Sequence, residues 1–201
     1  MKSFPADFAP EPIYLQPDQV DGKVREALQT LVKKGFRIQI GLARADTSAL
    51  QALSVQASIR KYCPKDCTER FKDEPTIEHW LTKKRLVFLL KETATDELAG
   101  IAWTGPGTSP HIPEGKLTGG VRLSEHFQGF GLATPFLTAA LTYTRESYSD
   151  DLLWYECWQS NTGALHIYQK LGFQIVKTEP ANRPNPDNTT TPDARVYMTL
   201  A

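Results

Sequence analysis

VRLSEHFQGFGLAT, residues 121–134, runs from a strand-like segment into a turn built on two glycines and then opens what reads as a helix. Gly129 and Gly131 bracket Phe130 and allow backbone geometry closed to other residues, so a ligand can come close. The first amides of a helix lack partners inside it, and the positive end of the helix dipole lies behind them. Together they form a socket for phosphate, and a chain that grips a pyrophosphate here carries a nucleotide-like cofactor. Pro135 falls in the first helical turn, where a missing N–H is tolerated and the amides before it stay free. The turn is no Rossmann fingerprint, because it has a single Gly-x-Gly and the strand before it follows three others that read as antiparallel. It is no Walker loop either, since no Gly-Lys-Ser/Thr follows.

Upstream of the turn, Val24, Leu28, Leu31 and Val32 recur at helical spacing and predict a helix over 18–34, with Gly35 at its C-cap. Ile38, Ile40 and Leu42 alternate as in a half-buried strand over 37–43. Asp46 can cap a helix running to about Tyr62, and a polar connection follows over 63–75. A short helix is expected over 76–83. RLVFLLK, residues 85–91, is a near-continuous apolar run whose two faces should both be covered. LAGIAWT, residues 98–104, returns as its hairpin partner, and 105–115 is a loop dense in breakers. The strand over 116–123 is weakened by Gly119-Gly120, where a bulge fits. Downstream of the turn, Leu132, Phe136, Ala140 and Tyr143 make a helical stripe. A strand over 151–158, a helix over 161–171 and strands over 173–178 and 195–200 close the chain, with a polar loop over 179–193. This order gives a mixed α/β fold.

Composition narrows the function. The 201 residues suit one domain with an extra segment. Lysine plus arginine and aspartate plus glutamate number 23 each, so no global field draws in nucleic acid or an anionic membrane. No run approaches the ~20 apolar residues of a membrane span, and the N-terminus lacks a signal-peptide pattern, which makes the cytoplasm the expected location. Cys63 and Cys67 form C-x3-C without a second Cys or His pair at zinc-finger spacing, so no metal is expected. Cys157 reads as a core residue. Asn188-Thr189-Thr190 matches a glycosylation acceptor but reads as a loop in the absence of a secretion signal.

A second segment, YECWQSNTGALHIYQKLGF, residues 155–173, adds to the first. Together they resemble the Gcn5-related N-acetyltransferase (GNAT) family. Gln128, Gly131 and Ala133 meet the family's phosphate turn, Q/R-x-x-G-x-G/A. Asn161, Ala164, Tyr168, Gly172 and Phe173 meet its second motif. The resemblance covers about residues 37–201. It divides the chain into an N-terminal extension, residues 1–35 with one amphipathic helix, and an N-acetyltransferase domain, residues 36–201. It implies a central, mostly antiparallel mixed sheet flanked by helices and splayed between the fourth and fifth strands, those holding Leu123 and Cys157.

The resemblance implies acetyl-CoA as donor and direct transfer to a primary amine on a small molecule or a peptide N-terminus. A homodimer is compatible with it. The amides of Gly129, Phe130, Gly131, Leu132, Ala133 and Thr134 would hold the pyrophosphate, beside Gln128. The strand Val121, Arg122 and Leu123 would pair with the pantetheine arm. Asn161 would contact that arm, a role compatible with a plain helix N-cap. Gln128 replaces the commoner arginine and Phe130 a usually polar residue, so the turn is less electropositive than most.

Attack by an amine requires loss of its proton, a donor to the charged oxygen and stabilisation of the departing thiolate. A backbone N–H of Val121–Leu123 could serve the oxygen. The resemblance places Tyr168 at the thiolate; otherwise it is a packed helix aromatic. Glu156 is the leading base. If Tyr155 and Cys157 share one strand face, Glu156 shares the other with Trp154 and Trp158, where partial desolvation would raise its pKa. Some family members that acetylate ribosomal-protein N-termini carry their proton acceptor at the matching place. The alternative is an edge glutamate paired with a lysine. His111 and Glu114 are fallback bases, while Glu125 and His126 face solvent. The aromatic residues suggest a partly apolar or cationic acceptor. Two rival readings are a non-catalytic acetyl-CoA-binding module and a protein-interaction scaffold.

Overall fold

A computed structural model of the chain describes residues 2–187 and 189–200, so the Asn188 acceptor match lies outside the described residues. Eight strands form one sheet: β1 Ile13–Tyr14, β2 Phe36–Ile40, β3 Leu86–Glu92, β4 Leu98–Pro106, β5 Leu117–Leu123, β6 Leu153–Trp158, β7 Gln174–Pro184 and β8 Thr190–Leu200. Their spatial order is β1-β2-β3-β4-β5-β6-β8-β7. Every neighbouring pair is antiparallel except β5 and β6, which run parallel. Among the described residues the α-helices are α1 Gly22–Lys33, α2 Thr47–Ser54, α3 Ala57–Tyr62, α4 Glu74–Leu81, α5 Ala133–Ser147 and α6 Thr162–Lys170.

Strand alternation sorts the core into two layers. On one face, Ile38, Phe88 and Leu90 pack under Leu28 and Leu31 of α1 and Phe136 and Leu137 of α5. On the other, Val87, Leu89 and Ile101 pack under Leu50, Ile77 and Trp80 of α2 and α4. β3 is therefore covered twice, as its unbroken apolar run requires.

Several elements differ from expectation. The helix expected over 46–62 breaks between α2 and α3 at Gln56, which is extended at φ −61° and ψ 144°. Its side chain accepts from the Glu125 amide at 2.8 Å and donates to Ser124 Oγ at 3.1 Å, so the break is tied to the segment before the glycine turn. Asp46 stands before α2 but points away from it, accepting from Lys91 Nζ at 2.7 Å and Gln39 Nε2 at 2.7 Å. That buried network ties α2 to β2 and β3. Gly119 and Gly120 form no bulge, since the β4–β5 register runs unbroken through Thr104↔Gly119 and Trp103↔Gly120. The loop expected over 179–193 is mostly the end of a long hairpin, paired to Pro184↔Thr190. β7 lies at the sheet edge, where proline leaves no ladder bond broken. Two residues of the Pro-rich lead-in also pair, as β1, with Ile40 and Gln39.

Candidate active site

β5 and β6 are paired only at Leu117↔Leu153 and Thr118↔Trp154, and beyond Thr118 they diverge. Because β1 precedes the expected strands, this is the splay foreseen between the fourth and fifth. Its β5 wall has a definite chemistry. The Ser124 amide donates to Ala99 O at 2.8 Å and the Gly107 amide to Lys116 O at 3.0 Å, so even-numbered β5 residues turn their main chain to β4. Gly119, Val121 and Leu123 then turn theirs into the gap. Leu123 O accepts from Gln128 Nε2 at 3.3 Å, and Val121 O accepts from Arg122 NH1 at 2.9 Å.

The glycine turn stands at the end of this wall. Gly129 and Gly131 both hold positive φ, +84° and +68°, and nothing lies within 4 Å of a side chain built on Gly129. Phe130 is exposed, while Leu132 is buried and anchors the start of α5. The first intrahelical bond runs from the Phe136 amide to Leu132 O at 3.0 Å. The amides of Ala133 and Thr134 lie before it, and Pro135 has none to offer. Gln128 Nε2 also reaches Ser58 Oγ at 3.3 Å. Glu125 is exposed and accepts from the Ser58 amide at 2.5 Å, so it holds the start of α3 against the turn. That backbone hydrogen bond keeps its carboxyl below the usual range.

One cation reaches the turn from outside the sequence motif. Lys34, just past α1, donates from Nζ to Phe130 O at 3.1 Å and lies 3.8 Å from where a Gly131 side chain would begin. In sequence it reads as an ordinary base at a helix C-terminus, 96 residues from Phe130. The open gap, the main-chain groups facing it, the exposed glycines and this ammonium fit a long diphosphate-bearing thioester.

The two faces of β6 part as alternation requires. Tyr155 and Cys157 lie toward α6, where Tyr168 packs edge-on to Tyr155 at 5.2 Å between ring centroids. Burial pushes the Tyr168 and Tyr155 phenols well above the usual tyrosine range. Burial likewise pushes the Cys157 thiol up to about 12. Such a thiol is a core group and no covalent relay. Asn161 caps α6 through its side chain, accepting from the Ala164 amide at 3.3 Å.

Trp154, Glu156 and Trp158 occupy the opposite face, as expected. Glu156, however, is exposed rather than enclosed by the two indoles, and its carboxylate lies 3.6 Å from Arg195. The Arg195 guanidinium covers Trp158 at 3.7 Å from the ring centroid, and the Trp154 N–H donates to Gly107 O at 3.0 Å. The protein's own cation thus occupies the aromatic face that had suggested a cationic acceptor. His111 packs at a tilt against Tyr197, with Lys177 Nζ 3.1 Å from its Nδ1 and Glu179 3.3 Å from its Nε2. Glu114 is exposed in the loop before β5, and His126 is exposed beside the turn.

Arg122, expected to pair its main chain with the arm, turns that main chain to β4 instead. Its side chain lies on the Trp103 face of the sheet, where one end turns back to Val121 O and Nε donates to Asp66 Oδ2 at 2.6 Å. Asp66 also receives Arg70 at 2.8 Å. Burial works against the Arg122 charge, but Asp66 outweighs it and holds the guanidinium above its ordinary pKa. Asp66 is almost fully buried in a segment that reads only as a polar connection, and no periodicity singles it out.

The acetyltransferase (GNAT) domain family model matches residues 37–174. Mycothiol acetyltransferase of Rhodococcus erythropolis is 32% identical over 113 residues, which is 54% of this chain, and the match spans 36% of that relative's length. Spermidine N-acetyltransferase from Vibrio cholerae, solved with CoA and spermine, has a TM-score of 0.64 at 19% identity, covering 83% of this chain and 96% of that one. The yncA structure from Salmonella typhimurium, solved with its cofactor acetyl-CoA, has a TM-score of 0.62 at 17% identity, covering 83% and 93%. Among the described residues no cluster of His, Cys, Asp and Glu could hold a metal ion, and no helix is long and apolar enough to cross a membrane. With the family match running through both the glycine turn and the splayed strands, the chain belongs to the GNAT acetyltransferase family.

Proposed function

We propose that this protein transfers the acetyl group of acetyl-CoA directly onto a primary amine of a small molecule or a peptide N-terminus. The splay of β5 from β6 immediately beside the glycine turn carries this reading. Bound acetyl-CoA supplies the activated thioester. The amides of Gly129, Phe130, Gly131, Leu132, Ala133 and Thr134 hold its diphosphate, helped by Gln128 and by the Lys34 ammonium. The extension, residues 1–35, therefore acts as part of the cofactor site of the domain over 36–201. Val121 and Leu123 line the arm through their backbone, Arg122 between them holds β5 to β4, and Asn161 closes the far side.

The Val121 N–H faces the gap and donates to the carbonyl oxygen as charge gathers there. Tyr168 holds its proton firmly, so at neutral pH it is a hydroxyl donor for the departing sulfur. Glu156 takes the proton of the incoming amine, with His111 and Glu114 as fallback bases working through water. The ion pair with Arg195 occupies the Glu156 carboxylate until the acceptor displaces it. Three free cysteines agree with a cytoplasmic setting.

Thermal shift with CoA against NAD and ATP, followed by thiol release on amine panels, tests the proposal. CoA alone should stabilise the fold, and at least one amine should release thiol. Tyr168→Phe should lower kcat by about 100-fold while CoA affinity changes less than about twofold. Unchanged turnover removes Tyr168 as the acid. Acetyl-CoA binding without thiol release on any amine leaves the non-catalytic reading.

A further inference from the structure

On the α3–α4 side of the sheet a cavity of about 380 Å³ lies beside β4, lined in part by Lys65, Glu69, Arg70, Lys83, Arg85 and Trp103. Its charges do not cancel. Lys65 is 3.5 Å from Glu69, and Arg70 shares Asp66 with Arg122. Lys83 and Arg85 have no carboxylate within ion-pair distance among the described residues. Five cationic groups, counting Arg122 behind the wall, thus stand against two carboxylates, an excess of three.

Arg85 is the most telling of them. Its guanidinium lies 4.4 Å from the centre of the Trp103 ring, and one end donates to Pro106 O at 3.3 Å. Its Nε is buried without a hydrogen-bond partner among the described residues. Burial, and then the nearby Arg70, lower its pKa to about 10. A guanidinium that is partly desolvated, without a carboxylate partner and repelled by a neighbouring cation favours an anion beside it.

The cavity is also well placed. Trp103 pairs with Gly120 of β5, and a side chain built on Gly120 would meet the Trp103 indole nitrogen at 3.1 Å and Arg122 NH1 at 3.2 Å. Trp103 therefore forms the partition between the cavity and β5 just past its last pairing with β6. One strand spacing, about 5 Å, separates the two.

We infer that this cavity is an oxyanion subsite for the acceptor, centred on Arg85 and supported by Lys83, and that the acceptor amine belongs to a molecule bearing a carboxylate or phosphate. The inference rests on the acetyl-transfer reading for its link to turnover but not for its anion chemistry. It also disfavours a polyamine, whose cations would meet the same excess positive charge.

Two measurements on the full chain test it. In the first, acetate and inorganic phosphate are titrated without CoA against chloride at matched ionic strength, with indole fluorescence as the readout. At least one anion should give a saturable change, and Arg85→Met, which keeps the stem over Trp103, should raise the midpoint by about tenfold. If Arg85→Met fails to fold, Lys83→Met on the exposed rim should shift the midpoint in the same direction by a smaller factor. The stronger of the two anions tells carboxylate from phosphate. A folded wild-type protein that saturates with neither overturns the subsite.

The second compares KM within matched acceptor pairs, an α-amino acid with its amide and an amino-sugar phosphate with its free sugar. The anionic member of one pair should have a KM lower by about tenfold, and Arg85→Met should erase the difference while leaving the neutral member unchanged. Equal KM values within both pairs overturn the inference. Saturation by an anion with no turnover on any amine supports the subsite and overturns acetyl transfer instead.

Discussion

Gly119 shows how little room one position can have. A methyl group there would overlap the Trp103 carbonyl and the Tyr155 ring, one of them backbone that cannot step aside. Gly119→Ala should therefore lower unfolding stability by about 3 kcal/mol, measured by chemical denaturation, and should disturb the closed end of the splay. A variant as stable as the parent would mean that β4 and β5 can separate there. Several of the proposed site residues come from the family resemblance. Gln128, Gly131, Asn161 and Tyr168 sit within two short segments whose local geometry their own neighbours set. Glu156 was legible as to its face but not its exposure, because Arg195 arrives from β8 and the strand pattern carries no record of it. Lys34, Asp66 and Arg85 left no local signal at all. A lysine at a helix end, an aspartate in a polar loop and an arginine before a strand are each ordinary until the chain folds around them.

At the scale of elements, α1 changes the character of the glycine turn. The motif itself is poor in charge, with Gln128 and Phe130 where cations or polar groups are commoner. α1 packs along α5 and delivers Lys34 to the Phe130 carbonyl. Lys34→Ala should weaken acetyl-CoA binding by about fivefold at low salt and flatten its salt dependence, as read by calorimetry across a salt series. Acetyl-pantetheine, which lacks the diphosphate, should bind parent and variant alike. Equal losses with both ligands would place the lysine's effect in folding instead. The β7–β8 hairpin makes the opposite point about legibility. Its prolines and asparagines read as a loop, yet an edge strand needs no ladder bond on its outer side and tolerates them. The split between α2 and α3 was equally hidden, since its cause is Gln56 reaching the segment around Ser124 and Glu125.

Across the whole molecule, burial gives the fold a dependence on alkaline pH. Burial raises the phenols of Tyr155, Tyr168, Tyr148 and Tyr197 above their ordinary value of 10.0. Above that pH the unfolded chain releases these protons while the folded chain holds them, so the unfolded state binds fewer and stability falls as pH rises. The loss should begin near pH 10 and approach about 1.4 kcal/mol per pH unit for each fully protected phenol. Denaturation midpoints from pH 8 to 12 would measure it, and Tyr155→Phe should make the decline shallower. A midpoint independent of pH in that range would contradict the burial of these rings. Periodicity and two short motifs were enough to give the order of most strands and helices, the glycine turn and the family resemblance, because those properties depend on neighbours a few residues apart. The cation over the turn, the paired state of Glu156 and the surplus of positive charge behind Trp103 were decided only by tertiary contacts. Each joins groups far apart in the chain, and a charge acquires its partners and its hydration only when folding sets the distances.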